Sequence, residues 1–377
     1  MGMPFSSMVL AQSGNINETT FAYGGYAKMD VLFSRYNNGE VADASPMRDF
    51  YFPALIPVGP ERKYNYTDFH VKESRFNFDL HSTLDGHSLR AFVELDFMLS
   101  GVGNEKISNS FNPRIRHFFF EYDNFLVGQT WSTFMTVILP ETIDFIGAPE
   151  GMVFIRQPQI RFSKGYWQFA LENPTTTVTN YHSTSTRLTS SGGAPDIVVR
   201  RNFKGEWGTV SMAGMFRNLN LVDSAGVKRY TSGYGVSLGG KFLIGRDDIR
   251  IMATVGSGLG RYVGLNFITS SVLCEKSDLH SINTINGYFA YKHQWSPKLK
   301  STVDVSGFYA DHEGQYVDRS INKSVWSASA NLLYTPVENV LFGIEYMHAE
   351  RELQNGTMGS FERIQFSGKY IFQYASK

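Results

Sequence analysis

The chain has 377 residues, and its 35 Lys and Arg are balanced by 35 Asp and Glu, a neutral composition without a basic block that excludes nucleic acid as an electrostatic partner. Hydrophobic residues make up 42%, yet no run approaches the roughly 18 consecutive apolar residues of a membrane helix. A single cysteine, Cys274, excludes an internal disulfide and a thiolate metal cluster. Aromatic residues reach 15%, and the mean hydropathy of −0.22 has the value of a soluble protein. That average misleads for a barrel, whose strands meet lipid with only every second side chain.

Residues 1–20 read as an N-terminal segment. The small-residue boundary Val9-Leu10-Ala11 before polar Gln12 has the form of a signal-peptide tail, although the charged region that opens such peptides is missing. The barrel domain is expected over 21–374, with 375–377 as a tail. A long irregular stretch covers Asn37–Lys72, after which strict alternation begins. Arg75, Asn77, Asp79 and His81 share one face, and Phe76, Phe78 and Leu80 the other. Asp85-Gly86 then signals a tight turn, and Leu89, Ala91, Val93 and Leu95 oppose Arg90, Phe92, Glu94 and Asp96 in the next strand. From Arg116 to Glu121 the alternation is ambiguous: either Arg116, or His117 with Glu121, points to the polar side.

The same pattern continues to the end of the chain. Short turns fall at Thr83–Ser88, Asp123-Asn124, Ser163–Gly165, Lys204–Gly208, Gly245–Asp247, Trp295–Lys298 and Thr335–Asn339. Longer stretches lie between them, at Asn37–Lys72, Ser100–Pro113, Ser132–Ile155, Asn173–Pro195, Asn218–Thr231, Gly256–His280, Asp311–Lys323 and Ala349–Gly359. Short turns on one side and long loops on the other predict an all-β fold, a transmembrane antiparallel β-barrel of about sixteen strands. The turns would be periplasmic, the loops extracellular and the location the outer membrane of a Gram-negative cell. A large soluble β-sandwich alternates in the same way. Strands of roughly 9–12 residues and aromatic residues gathered at strand ends favour the membrane.

The third loop, Ser132–Ile155, differs from the rest. It carries Phe134, Val137, Ile138, Leu139, Ile143, Phe145, Ile146, Met152, Val153 and Phe154 around Glu141, Asp144 and Glu150. Leaving this surface in solvent forfeits about 25 cal/mol per Å² of burial, so the loop is expected to fold into the lumen and narrow it. Its acids would then face basic residues across the opening. The alternatives are a loop that plugs the lumen or one that packs at a subunit contact. Candidates for the basic side are Arg75, Arg90, Arg116, Arg156, Arg161, Arg200 and Arg250. A guanidinium keeps its charge and grips carboxylates bidentately, so such a ladder would draw in small anions. For any single arginine a cross-strand salt bridge, for example Arg90 with Asp79, is the better explanation, and only the cluster as a whole points to the pore.

Catalytic readings find little support. The nine histidines form no His-x-x-x-His or His-x-His pair, so neither a metal site nor a cofactor is expected. Gly-Ser-Gly-Leu-Gly at 256–260 opens no helical pattern. The chain therefore reads as a channel for small hydrophilic solutes rather than an enzyme. A non-conducting surface adhesion or receptor barrel, with long loops that bind partners, is the competing reading.

Three motifs carry a resemblance: Gly128-Gln129-Thr130-Trp131-Ser132, Arg156-Gln157-Pro158-Gln159 and Glu172-Asn173-Pro174. With the closing stretch Gly343-Ile344-Glu345-Tyr346 to Arg363-Ile364-Gln365-Phe366-Ser367, they make the chain resemble the DcaP-like family of trimeric outer-membrane porins from about Phe21 onward. The resemblance implies a homotrimer of sixteen-stranded barrels in the lipid bilayer that admits small carboxylates, dicarboxylates in particular. Family members often carry an N-terminal coiled-coil segment, for which residues 1–20 leave little room, and the end at Tyr374-Ala375-Ser376-Lys377 departs from the usual terminal aromatic.

Overall fold

A computed structural model describes residues 16–99, 108–189, 193–222, 226–274, 278–312 and 317–376. The wall opens with the longest strand, β1 (Ile16–Tyr36), followed by β2 (Tyr64–His70) and β3 (Arg75–Leu84). A series of shorter strands comes next: β4 (His87–Asp96), β5 (Arg114–Tyr122), β6 (Phe125–Trp131), β7 (Arg156–Lys164) and β8 (Trp167–Glu172). β9 (Thr176–Thr179) and β10 (Thr186–Thr189) belong to a loop. The wall resumes with β11 (Asp196–Gly205), β12 (Gly208–Val222), β13 (Lys228–Ile244) and β14 (Asp247–Ser257). Two further loop strands, β15 (Ser271–Leu273) and β16 (Leu279–Ser281), follow. The circuit ends with β17 (Asn283–Ser296), β18 (Leu299–Asp311), β19 (Asn322–Tyr334), β20 (Val340–Leu353) and β21 (Met358–Ala375).

Wall neighbours are antiparallel throughout, and β21 pairs with β1 from Ala22↔Ala375 to Tyr36↔Phe361. That pairing closes the sheet and leaves no edge to meet lipid with open hydrogen-bonding groups. β2 and β3 pair with successive parts of β1, from Tyr36↔Tyr64 to Asp30↔His70 and from Tyr26↔Arg75 to Ile16↔Leu84. They are two segments of one wall strand. The barrel therefore has sixteen strands, as the alternation predicts.

Polarity sorts cleanly by face. Phe76, Phe78 and Leu80 are exposed on the outside, as are Phe118, Phe120, Ile160 and Phe169. In water such a surface would be one continuous apolar patch; in lipid it is the contact face. Tyr166, Trp167, Trp295 and Tyr334 stand exposed beside the short turns, and Tyr230, Tyr309 and Trp326 near the opposite rim. These are the two aromatic girdles. The turn residues follow backbone sterics: Asp85 (φ 50°) and Gly86 (φ 84°) both take positive φ, as the two-residue hairpin turn requires.

Three expectations need correction. The first long loop ends at residue 63, because Tyr64–His70 continues the wall. The fifth and eighth loops shrink to 223–227 and 354–357. Pairs such as Asn218↔Ser232 and Glu350↔Ser360 extend the ladders above the apolar band, since backbone hydrogen bonds need no greasy side chains there. The ambiguity in β5 has a physical cause. A β-bulge opposite Glu94/Leu95 adds one residue to β5, so Arg116 and His117 both turn inward, with Phe119 after them.

Inside the extracellular half, three loops pack on one another. Met47, Phe50 and Tyr51 of the first loop, Phe134 and Met152 of the third, and Tyr262 and Phe267 of the sixth form one buried cluster. Above it, β9 pairs in parallel with β15 in a small four-stranded sheet. β1 begins at Ile16, and residues 1–15, where the signal-peptide-like boundary falls, lie outside the described residues.

Candidate functional site

The third loop, 132–155, runs inside the barrel and is fastened to the wall along much of its length. It leaves β6 at the Glu172 carboxylate, which accepts the Ser132 hydroxyl at 2.8 Å and the Thr133 N–H at 2.6 Å. Arg200 on β11 then donates to the Met135 carbonyl at 2.6 Å. Tyr288 on β17 donates to Ile138, and Arg250 on β14 to Leu139. Asn331 on β19 donates to the Glu141 carbonyl at 2.7 Å. Further round, Lys28 on β1 and Gln365 on β21 both donate to the Ile143 carbonyl. Close approach is possible because both the wall and the loop offer glycines. A Cβ on Gly239 would lie 2.2 Å from Thr136 Oγ1, and one on Gly151 would lie 2.4 Å from the Gly287 carbonyl oxygen.

The three acids of the loop take different environments. Glu141 accepts from Arg250 at 2.5 Å and stands 2.5 Å from Lys300 Nζ. Burial pushes its carboxyl up, but the Lys300 hydrogen bond and the charges of Lys300 and Arg250 hold it below the usual carboxylate range. Asp144 is buried, accepts the Tyr51 N–H at 3.2 Å and meets Arg363 at 3.4 Å. Glu150 is fully buried with no cation in ion-pair range among the described residues. The expected arrangement, acids facing a basic row across the opening, is therefore not what the structure shows: Glu141, Asp144 and Glu150 turn toward the wall that carries the loop. The apolar residues beside them draw the loop down, and the acids follow.

The seven arginines divide into two groups. Arg90 spans Asp79 at 2.9 Å and Glu121 at 3.5 Å. Arg116 binds Glu94 at 2.7 Å and Asp96 at 2.8 Å. Arg250 is held by Asp248 and Glu141, and Arg75 stands 3.6 Å from Glu94. For Arg156, Arg161 and Arg200 no carboxylate among the described residues reaches ion-pair distance, and each leaves a buried donor nitrogen unpaired. Arg156 lies over Trp131, 4.4 Å from the ring centroid, and feels the charges of Arg114, Arg116 and Arg75 as well as Asp96. Arg161 and Arg200 sense one another, with Glu172 acting on both.

Several residues of the site escape sequence reading. Glu345 accepts the backbone N–H groups of Ile143 and Asp144 at 2.9 and 3.2 Å, and Arg363 bridges Asp144 and Ser34. Lys28 is buried with Glu73 and Asp30. Alternation places Lys28, Glu345 and Arg363 on the inner face, but their contacts with the loop, such as Lys28 and Glu345 with Ile143 and Arg363 with Asp144, reach across a hundred or more residues of chain, where no local pattern points.

A family model described as DcaP outer membrane protein matches residues 66–372. The structure is similar to that of the outer membrane channel DcaP of Acinetobacter baumannii, with TM-score 0.75 and 20% identity, covering 96% of this chain and 100% of that one. An anion-selective porin from Comamonas acidovorans shares the fold at TM-score 0.58 and 10% identity, over 94% of this chain and 100% of that one. OmpF of Salmonella typhi does so at TM-score 0.53 and 10% identity, over 92% and 97%. None of the curated proteins matches the chain.

Proposed function

Since the chain belongs to the DcaP outer membrane protein family, we propose that this porin-type channel of the Gram-negative outer membrane admits small hydrophilic anions by passive diffusion, carboxylates foremost. The observation that carries the anion preference is the set Arg156, Arg161 and Arg200, three lumenal guanidiniums whose charge no carboxylate within 4 Å of them cancels among the described residues. An unpaired guanidinium beside a water-filled path offers two parallel N–H donors to a carboxylate and repels cations. Paired arginines such as Arg90 contribute little to that field, because Asp79 and Glu121 offset them.

The test is the reversal potential across a planar bilayer separating unequal salt solutions. Arg161→Gln with Arg200→Gln shifts it toward cation preference, whereas the charge-neutral double change Arg90→Gln with Asp79→Asn leaves it in place. Equal reversal potentials for wild type and the Arg161/Arg200 variant remove these residues from selectivity.

A homotrimer is proposed for the assembly, supported by family membership. Cross-linking in detergent that yields only monomers would exclude it. The packing of three loops in the extracellular half also suits a closed receptor barrel; the two readings part on solute flux into liposomes, which the receptor reading sets at zero.

A further inference from the structure

Behind the third loop, four carboxyl groups meet one guanidinium. Asp144, Glu150, Asp304 and Glu345 are all buried, and Arg363 touches Asp144 alone. Glu345 is well supplied, by two loop N–H groups and by Asn331 at 3.0 Å. Among the described residues Asp304 receives only the Ser329 hydroxyl, and its Oδ1 has no partner. Glu150 is the extreme case: both carboxyl oxygens are buried, and neither has a partner at good hydrogen-bond geometry among the described residues. The nearby hydroxyls of Ser306, Ser327 and Tyr51 favour its charge by less than burial opposes it.

Among the described residues the surroundings offer Glu150 no cation. It faces Tyr51 of the first loop, Ser306 of β18 and Ser327 of β19, while those two serines bond each other at 3.2 Å. From β17 the Gly287 carbonyl packs on Gly151. Asp304 on β18 acts on Glu150 as a like charge, and Asp144 and Glu345 act on Asp304 in the same sense. Lys28 on β1 is committed to Glu73 and Asp30, and Arg250 and Lys300 to Glu141. An ionised carboxylate buried without a counter-charge is among the costliest groups a protein interior can hold, and it takes up a proton or leaves.

We infer that the 143–152 arm of the third loop is a proton-held latch: it lies seated on the β17–β21 wall while Asp144 and Glu150 carry protons, and it comes off the wall and widens the passage when they ionise. The inference rests on reading the barrel as a conducting channel. Burial pushes the Asp144 carboxyl up to about 7 against the opposing charge of Arg363, with Glu345 adding to the rise, and burial pushes Glu150 up as well. The seated arm thus binds protons that a released, solvated arm gives up in the ordinary carboxylate range. Its seat is fully held below that range and is lost as pH rises through about 7.

The test uses a thiol placed behind the seat, Met152→Cys in a Cys274→Ser background, with labelling by a membrane-impermeant reagent. Rates are taken relative to the same protein carrying Asp144→Asn and Glu150→Gln, which cancels the pH dependence of the thiol itself. The latch predicts that the ratio climbs by about tenfold per pH unit between pH 5 and 7 for each linked proton and then levels off. Bilayer conductance of the unlabelled wild type rises over the same interval, and that of the Asp144→Asn/Glu150→Gln variant stays flat. A pH-independent labelling ratio overturns the latch whatever the conductance does. A climbing ratio in a barrel that passes no current upholds the latch and refutes the channel instead.

Discussion

Replacing Gly151 by alanine probes the seat of the third loop with a single methyl group. The added Cβ would lie 2.4 Å from the Gly287 carbonyl oxygen, 2.7 Å from its carbon and 2.9 Å from the Tyr288 Cβ. Ordinary contact begins near 3.4 Å. Two of these three neighbours are backbone of β17, fixed by ladders to β14 and β18 and unable to turn aside. The arm must therefore retreat by about 1 Å, which loosens the Glu150 side of the seat. Overpacking of this kind costs about 1–3 kcal/mol, or roughly 5- to 150-fold in the seating equilibrium. Single-channel recording should show larger open-state fluctuations for Gly151→Ala, with unchanged heat modifiability of the barrel on gels. Gly214→Ala is the matched control, because nothing lies within 4 Å of its Cβ position. If both variants give wild-type traces, the arm is not held against β17 and the packing argument fails.

Three other changes test separate parts of the reasoning. Lys28→Met strands Glu73 and Asp30 in a buried site, and loss of one partner of such a pair costs about 3–5 kcal/mol, readable as a lower urea midpoint for unfolding from vesicles. Phe118→Arg sets a charge on the lipid face and should lower folding stability by about 2–4 kcal/mol if its site is near the bilayer midplane; no loss would mean that this face does not meet lipid. Glu141→Gln leaves Arg250 and Lys300 without their shared carboxylate and should move the reversal potential further toward anions.

Much of the fold is legible because period two survives in each strand and because the turns announce themselves, as Asp85-Gly86 does. The site is less legible, for reasons that follow from geometry. Arg90 with Asp79 can be read directly, since one hairpin sets the register. Arg116 cannot, because a bulge turns two consecutive residues to the same side and alternation then contradicts itself. The apolar composition of 132–155 correctly draws the loop into the lumen. It does not say which wall receives the loop, and so it leaves open whether Glu141 faces the water or Lys300. Contacts such as Ile143 with Glu345 depend on where the loop comes to rest, two hundred residues from its partner in the chain.

Two anchors near the middle of the same loop, Glu141 and Asp144, respond to pH with opposite sign, which yields one further prediction. The Glu141 carboxyl is held below its ordinary range by the Lys300 hydrogen bond and the charges of Lys300 and Arg250, against the push of burial. That anchor is present above the ordinary carboxylate range and is lost as pH falls through the depressed value. Asp144 works the other way, being pushed up to about 7 and losing its contribution as pH rises through that point. The loop is thus fastened at both anchors only between these limits, and its conductance should trace a basin against pH, lowest in mildly acidic solution and rising on either side. Glu141→Gln should remove the acid limb and spare the alkaline one, while Asp144→Asn with Glu150→Gln should do the reverse. If either variant flattened both limbs together, the loop would be moving as one rigid piece, and the separate action of the two anchors would be refuted.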